Sequence, residues 1–266
     1  INQFPLAQDT AVIDNASAGT SIAMTAVVNI GTVNTSARTS GITLNGNDGV
    51  VYGNFILGTG ISFPSTALTI TFSGRGTQTI TSNGVSFGPN LTINSSIGTV
   101  QLADALTLNS TRALTLTTGT FDAVSYNVTT GTFAANGVST LKMGSGTWTL
   151  SGTATVWSLF GSSVFYKGTA NIVLSDTSTS ARAFSGIAFS YNKLTIGGAT
   201  GISTTTISGN NQFTELASTK TVAHTIALDT TTQTFGAWTV TGTVGNVVTV
   251  TGTGVSHVIA GARVSG

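Results

Sequence analysis

Short apolar-Thr-apolar triplets recur along most of this chain, and their spacing constrains the fold more than any other feature of the sequence. The first three triplets begin at Leu68, Leu91 and Leu114 and are evenly spaced. A second run follows at a similar but less even spacing. Its members are Trp148-Thr149-Leu150, Ile172-Val173-Leu174, Leu194-Thr195-Ile196, Thr214-Glu215-Leu216 and Trp238-Thr239-Val240. Between the two runs, an extra block from Phe121 to Met143 interrupts the series.

A repeat of this length is typical of one coil of a β-solenoid. It is shorter than a βαβ unit, which needs about 30 residues or more. The two outer residues of a triplet point to one side of a strand and the central Thr points to the other. We therefore predict an all-β chain, a right-handed parallel β-helix with coils of about 22 residues, in which Leu, Ile, Val and Trp line the inside and Thr rows lie outside. Antiparallel β-sandwich or jelly-roll domains are the alternative, because short strands separated by turns also describe them.

The first sixty residues contain strand-like segments, such as Val50 to Leu57, without the same register. The sequence predicts a β-rich N-terminal cap or attachment region over residues 1–62 and a β-helical shaft over residues 63–266. The chain begins at Ile1 without an initiator Met or a basic-then-apolar leader, which predicts either a processed protein or a fragment of a longer one.

Charged residues are scarce, at 6% of the chain, and the formal net charge is +1. No basic stripe is available to follow a phosphate backbone, so nucleic acid is not expected as a partner.

No stretch has the roughly 20 consecutive apolar residues of a membrane-spanning helix, so membrane insertion is not expected. Cysteine is absent, which excludes disulfides and Cys-based metal or redox chemistry. This composition is compatible with an extracellular location.

The eight acidic residues are scattered along the chain. Cleavage of a glycosidic bond generally requires two carboxyl groups that flank it. Asp104 and Asp122 are the pair that stacked coils would bring closest, but their separation falls short of one repeat. We therefore predict no catalytic residues and no enzymatic activity.

Two motifs allow a metal-binding and a structural interpretation. Asn45-Gly46-Asn47-Asp48-Gly49 resembles the oxygen-rich start of a calcium loop, but it lacks the distant bidentate Glu. Asn-Gly and Asp-Gly are also preferred in tight turns, which favours the structural interpretation. His224 and His257 have no Cys or third His to complete a site. The sequence predicts neither a metal nor a cofactor.

Aromatic residues concentrate in the second half of the chain, where they would either fill the coil or form a sugar-stacking strip outside it. Trp148 replaces the Leu of a triplet, so we expect it in the core. Trp157 and Tyr166 fall outside the triplet register. They are our candidate glycan-binding residues on the surface.

Four sequence segments resemble the repeats of β-helical tail-fibre and appendage proteins of tailed bacteriophages. They are residues 143–157 (MGSGTWTLSGTATVW), 191–198 (YNKLTIGG), 207–213 (ISGNNQF) and 242–250 (GTVGNVVTV). The likeness covers about residues 66–260, and bacterial adhesin passengers use comparable coils. It implies a non-enzymatic structural protein of the virion surface, commonly a homotrimer, that joins other virion or surface proteins and contacts host glycans or extends a fibre. It carries over no catalytic residues.

Two other functions stay open at this point. A bacterial or archaeal surface adhesin or filament subunit would share the fold and differ in its source and assembly. A glycan-depolymerising tailspike would share the location and differ by having a catalytic site. In all three cases we expect a virion, extracellular or cell-surface location. The end of a β-solenoid is an open sheet edge, so we also expect the ends to be capped or joined to neighbouring chains, and the resemblance implies a homotrimer or fibre.

Overall fold

Stacked parallel strands, joined by turns, run through the whole described part of this protein. The computed structural model describes residues 6–24, 27–64, 68–198, 201, 203–252 and 258–259. Within these residues there are 28 β-strands and no helix, and the strands stack in parallel as about 11 turns of a β-solenoid. The predicted parallel β-helix is confirmed, and the antiparallel alternative is wrong.

Each coil passes through up to three faces. The first face contains β3 (Val28–Ile30), β6 (Gly49–Val51), β9 (Thr69–Phe72), the start of β11 (Asn90–Leu102), the start of β13 (Ala113–Asp122), β15 (Thr132–Ala135), β18 (Ala154–Leu159), β21 (Arg182–Ser185), β23 (Thr204–Ser208), β25 (His224–Leu228) and β27 (Val248–Gly252). The second face contains β1 (Thr10–Val12), β4 (Thr32–Asn34), β7 (Phe55–Ile56), β10 (Thr77–Thr81), the ends of β11 and β13, β16 (Ser139–Lys142) and β19 (Val164–Tyr166).

The third face contains β2 (Ser21–Met24), β5 (Ile42–Gly46), β8 (Ile61–Ser62), β12 (Leu106–Thr107), β14 (Val128–Thr130), β17 (Thr147–Leu150), β20 (Asn171–Leu174), β22 (Ser190–Ile196), β24 (Gln212–Ser218), β26 (Thr234–Thr239) and β28 (Val258–Ile259). An isolated parallel bridge between Phe87 and Leu108 also belongs to this face. Because β11 and β13 run around a corner without a break, the first and second faces form one continuous sheet.

The register of the coils differs from the triplet series in two ways. Leu91 pairs with Ile70, whereas the spacing of the triplets predicts Leu68 as its partner, so this coil is shorter than predicted. The first three triplets lie on the first face, whereas the later ones lie on the third face, where Leu194 pairs with Leu216. The block from Phe121 to Met143 is therefore an ordinary part of the solenoid, and the interruption marks the point where the visible triplets change face.

The inside of the coil is filled as the alternation predicts. Along β9 and β17 inward residues are buried and the intervening Thr residues are half-buried. From the middle of the chain onward, aromatic rings contact one another in succession through the lumen. The rings of this series are Phe121, Phe133, Trp148, Trp157, Phe184, Phe213, Phe235 and Trp238. Trp148 is fully buried, as predicted.

The first coils are filled less completely. Strands β1 to β8 already pair within the three faces, before residue 63. Between their inward side chains lies an apolar cavity of about 860 Å³, partly open to solvent beside the exposed Leu6 and Val27, with Val33, Val51 and Phe55 deeper in its lining. An attachment role for residues 1–62 stays a prediction.

The second face ends at β19, well before the end of the described chain. After β21 the backbone takes left-handed conformations at Ile187 (φ 49°) and Ala188 (φ 51°), which cannot continue a strand. In the next coil, Gly209 (φ 103°) and Asn210 (φ 53°) occupy the corresponding corner. In the described coils from β21 to β26 each coil therefore has two strands, and the solenoid changes there from a three-faced to a two-faced cross-section.

Candidate functional site

The outer surface of the second face, just before this change, carries a mixed polar and aromatic row. Cross-strand pairing aligns Thr79, Gln101, Asp122, Lys142 and Tyr166 on successive coils. Since paired residues on neighbouring strands point to the same side, these side chains form one ladder. Tyr166 ends it, because β19 is the last strand of this face.

A shallow groove of about 430 Å³ runs beside the end of this row, and we name it the Tyr166 groove. Its lining consists of Asp122, Thr140, Lys142, Gly144, Tyr166 and Gly168. Tyr166 is 57% exposed, so its ring offers an apolar surface and its hydroxyl offers a hydrogen-bonding group to solvent. Lys142 Nζ lies 3.5 Å from Asp122 Oδ2 on the floor of the groove.

Close backbone packing at the corner of the coil keeps one wall of the groove free of side chains. Gly144 has φ +74° and Gly168 has φ +54°. A Cβ on Gly144 would overlap the carbonyl oxygen of Val124, and a Cβ on Gly168 would overlap that of Gly144. Stacked glycines are therefore required here, and they leave the Tyr166 ring uncovered on that side.

The carboxylates near the groove are engaged in local structure. Asp122 Oδ1 accepts a hydrogen bond from the Val124 backbone N–H at 2.9 Å, and its other oxygen faces Lys142. Asp104 accepts hydrogen bonds from the backbone N–H groups of Ser82, at 2.7 Å, and Asn83, at 2.6 Å. The structure thus assigns Asp104 to holding a turn of the preceding coil and Asp122 to the groove.

The candidate metal ligands also have structural roles. His224 is buried, its Nδ1–H donates to the Val222 carbonyl oxygen (2.8 Å), and its Nε2 contacts the Ser218 hydroxyl (2.9 Å). Asp48 Oδ1 accepts a hydrogen bond from the Thr69 N–H at 2.8 Å, which ties the turn between β5 and β6 to the next coil. His257 lies outside the described residues. In the part of the chain that the structure describes, no three His, Asp or Glu side chains cluster as metal ligands would.

The prediction of Trp157 as a surface residue is wrong. Its side chain is 0% exposed, and its ring stacks on Phe184 with centroids 5.8 Å apart. Its Nε1–H donates to the Tyr191 hydroxyl. Trp157 belongs to the first face, where its partners Phe133 and Phe184 set the register, whereas the triplets next to it in sequence belong to the third face. A register shift between Thr155 and Trp157 turns both Val156 and Trp157 inward.

Two apolar side chains near Tyr166 are about half exposed, Val164 on the same strand and Phe160 at the preceding corner. The sequence left Phe160 open between the core and the surface, and Val164 was missed. The association of Asp122, Lys142 and Tyr166 was also missed, although each follows the one before it by one coil of the chain. The intervals, 20 and 24 residues, lie on either side of the predicted coil of about 22 residues, so the mean repeat alone does not find these partners.

Comparison with protein-family models, curated proteins and solved structures found no match. Among the described residues, none form a helix long and apolar enough to cross a membrane.

Proposed function

We propose that this chain is a non-enzymatic structural shaft of an extracellular fibre, and that its Tyr166 groove contacts a cell-surface glycan. The observation that carries the proposal is the uninterrupted stacking of about 11 coils, with the exposed Tyr166 and the Asp122–Lys142 pair at the point where one face ends. Each coil contacts its neighbours along its length, so the stack extends as a rod of roughly 50 Å at about 4.8 Å per coil.

The chemistry of the groove fits a neutral or weakly charged saccharide. The Tyr166 ring presents an apolar face for the C–H surface of a sugar ring, and its hydroxyl, Thr140, Lys142 and Asp122 offer donors and acceptors for sugar hydroxyls. The groove is open, which suits a contact along a polysaccharide better than the enclosure of a small molecule.

The resemblance to tail-fibre and appendage repeats favours a phage virion as the location, with assembly as a homotrimer or fibre. The absence of enzymatic activity is supported by the engagement of Asp104 and Asp122 in turns and with Lys142. An adhesin or filament subunit of a cell surface is the second candidate, since the same solenoid would serve there.

Binding to arrayed bacterial surface polysaccharides tests the groove. We expect Tyr166→Ala to weaken binding about tenfold or more, as for an aromatic side chain at the centre of a contact. Tyr52→Ala is the matched control, because Tyr52 is also exposed but lies at another part of the surface. Equal binding by the wild type and Tyr166→Ala would contradict the role of the groove.

Two further experiments separate the functions. Immunogold labelling of purified virions and of cell envelopes distinguishes a phage fibre from a cellular adhesin, and labelling of envelopes alone would contradict the virion assignment. A reducing-end assay on host capsule or lipopolysaccharide tests for depolymerisation. Release of oligosaccharides that is abolished by Asp122→Asn would contradict the non-enzymatic role.

A further inference from the structure

A group of five charged and polar side chains lies in the two-faced part of the solenoid, and four of them are buried. It lies at the corner where the third face passes to the first face, on three successive coils. Its members are Asp176, Arg182, Ser203, Thr205 and Lys220. The Arg182 side chain is 0% exposed, which is rare for arginine because burial removes the charge from water.

The hydrogen bonds of Arg182 are incomplete. Its Nη2 lies 3.0 Å from the Ser203 hydroxyl and 3.3 Å from Asp176 Oδ2. Asp176 Oδ2 also accepts hydrogen bonds from the N–H and hydroxyl of Ser178. Nε and Nη1 of Arg182 are buried and have no acceptor. A guanidinium has five N–H bonds, so more than half of the donors of this side chain, which has no exposed surface, are unused.

A second unpartnered group lies beside Arg182. Thr205 is its cross-strand partner on the next coil and points to the same, inner side. The Thr205 hydroxyl is buried and makes no hydrogen bond. Buried polar groups in native proteins are nearly always paired, so two adjacent unsatisfied groups indicate a missing partner between the coils.

The charges of the group do not balance. Arg182 and Lys220 provide two cationic side chains, and Asp176 is the carboxylate that interacts with both. Burial lowers the pKa of Lys220, and the nearby Arg182 lowers it further. Burial also lowers the pKa of Arg182, while Asp176 opposes that change. Lys220 Nζ additionally donates to the Gly201 carbonyl oxygen, at 3.0 Å. His224 lies near this corner, but its ring nitrogens hydrogen-bond to Ser218 and Val222, so it is not a member of the group.

We propose that a small inorganic anion, a halide such as chloride, binds between Arg182 and Thr205 and completes this group. Nε, Nη1 and the Thr205 hydroxyl are all able to donate to it, and its negative charge offsets the excess of positive charge. A water molecule would accept the same hydrogen bonds but would leave that charge uncompensated. The anion links the coils of β21 and β23 and is independent of the glycan-binding groove.

Thermal unfolding in sodium bromide and in sodium gluconate, each at an ionic strength of about 0.1 M, tests the proposal. Bromide matches chloride in charge and is close to it in size, whereas gluconate is too large for a closed lumen. We expect bromide to raise the unfolding midpoint of the wild type by roughly 2–4 °C relative to gluconate, because it binds only the folded state.

Two test variants and one control localise the effect. Thr205→Val keeps the shape of the side chain and removes the donor, so we expect it to lose at least half of the bromide-dependent shift. Thr206→Val is the matched control, because Thr206 is the next residue of β23 and points outward, and it should keep the full shift. Arg182→Met should also lose the bromide-dependent shift. If Arg182→Met does not fold, the shift measured for Thr205→Val tests the site.

A crystal grown in bromide provides the direct measurement. An anomalous difference peak within hydrogen-bonding distance of Arg182 Nη1 would support the site. No anomalous peak there, equal midpoints of the wild type in the two salts, or a full shift in Thr205→Val would overturn it.

Discussion

The three-faced and two-faced parts of this solenoid differ in how side chains fill the lumen. In the three-faced part, coils such as the one containing β9 and β10 enclose a lumen, and in the first coils this lumen retains an apolar cavity of about 860 Å³. In the two-faced part, stacked rings such as Phe213 and Phe235 fill the space between the faces. Buried cationic side chains occur in both parts: Arg38 and Arg112 in the three-faced part, and Arg182 and Lys220 in the two-faced part.

The comparison shows that the number of faces is set locally. A corner formed by left-handed residues at Ile187 and Ala188 removes a strand from the coil, and the outer surface then ends at β19. The ladder on that surface places Tyr166 at its last position. A change in cross-section thus creates an exposed site on an otherwise repetitive rod.

The largest effect is expected where the aromatic stack crosses from one part to the other. Trp157→Ala removes a fully buried ring that contacts Phe133 and Phe184. It should reduce the free energy of unfolding by about 3–5 kcal/mol, as measured by denaturant titration. Trp238→Ala is the control, because Trp238 is only partly buried and its loss should cost less. A loss below about 1 kcal/mol for Trp157→Ala would show that the lumen is not packed around this ring.

The stacked glycines behind the Tyr166 groove come next. Gly144→Ala forces a Cβ against the Val124 carbonyl at a positive φ, so we expect a loss of about 1–3 kcal/mol of unfolding free energy. Gly84→Ala separates the two causes, because Gly84 also has a positive φ but lies in open space. Denaturant titration should give a smaller loss for Gly84→Ala, and equal losses would remove the argument from close packing.

Filling the lumen should have opposite effects in differently packed coils. Val51→Ile adds a methylene beside the cavity of the first coils, and we expect it to stabilise the fold by up to about 0.8 kcal/mol. Val100→Ile adds the same group to a fully buried position outside the cavity lining, where overpacking should cost about 1 kcal/mol. Thermal unfolding of the two variants measures this difference. Destabilisation by Val51→Ile equal to that by Val100→Ile would contradict the presence of usable space.

The smallest effect is expected on the surface of the two-faced part. Hydrogen bonds from Thr239 and Lys193 lower the pKa of Glu215 in the folded state. A carboxyl with a lowered folded pKa adds stability above its unfolded pKa of about 4.3, and that stability is lost as the pH falls through the folded pKa. Because the pair is partly exposed, we expect less than about 1 kcal/mol. Glu215→Gln should therefore be less stable than the wild type at neutral pH and equal to it in acid, as measured by denaturant titration across that range. A difference that persists in acid would assign the effect to packing.

The sequence predicted the stacked parallel coils and their inner and outer residues, but not which face each strand belongs to. Alternation within triplets such as Trp148-Thr149-Leu150 correctly separated inner from outer residues, because a strand imposes a period of two on any face. The same alternation cannot tell one face from another, which is why Trp157 was assigned to the surface. The end of the second face depends on left-handed backbone at Ile187, a conformation that a β-branched residue does not predict.

The candidate site was half predictable for a related reason. Trp157 and Tyr166 both lie outside the triplet register, but only Tyr166 lies on the surface, where it lines a groove. Asp122 and Lys142 join it only through two coils of unequal length, and that length varies with the turns between strands. Because the length of each coil varies in this way, the side chains that lie beside an exposed residue on neighbouring coils are found from the strand pairing of the structure. The mean repeat of the sequence does not find them.

Engineered cysteine pairs test the parallel register most directly, and the absence of native cysteine makes the result clear. Thr71 pairs with Thr92 on the outer surface of the first face, whereas the spacing of the triplets would pair Thr69 with Thr92. We predict that Thr71→Cys/Thr92→Cys forms an intramolecular disulfide on mild oxidation, because cross-strand neighbours lie within the distance that a disulfide spans. Thr69→Cys/Thr92→Cys should stay reduced. The opposite outcome would contradict the pairing of Ile70 with Leu91 and the stacking derived from it.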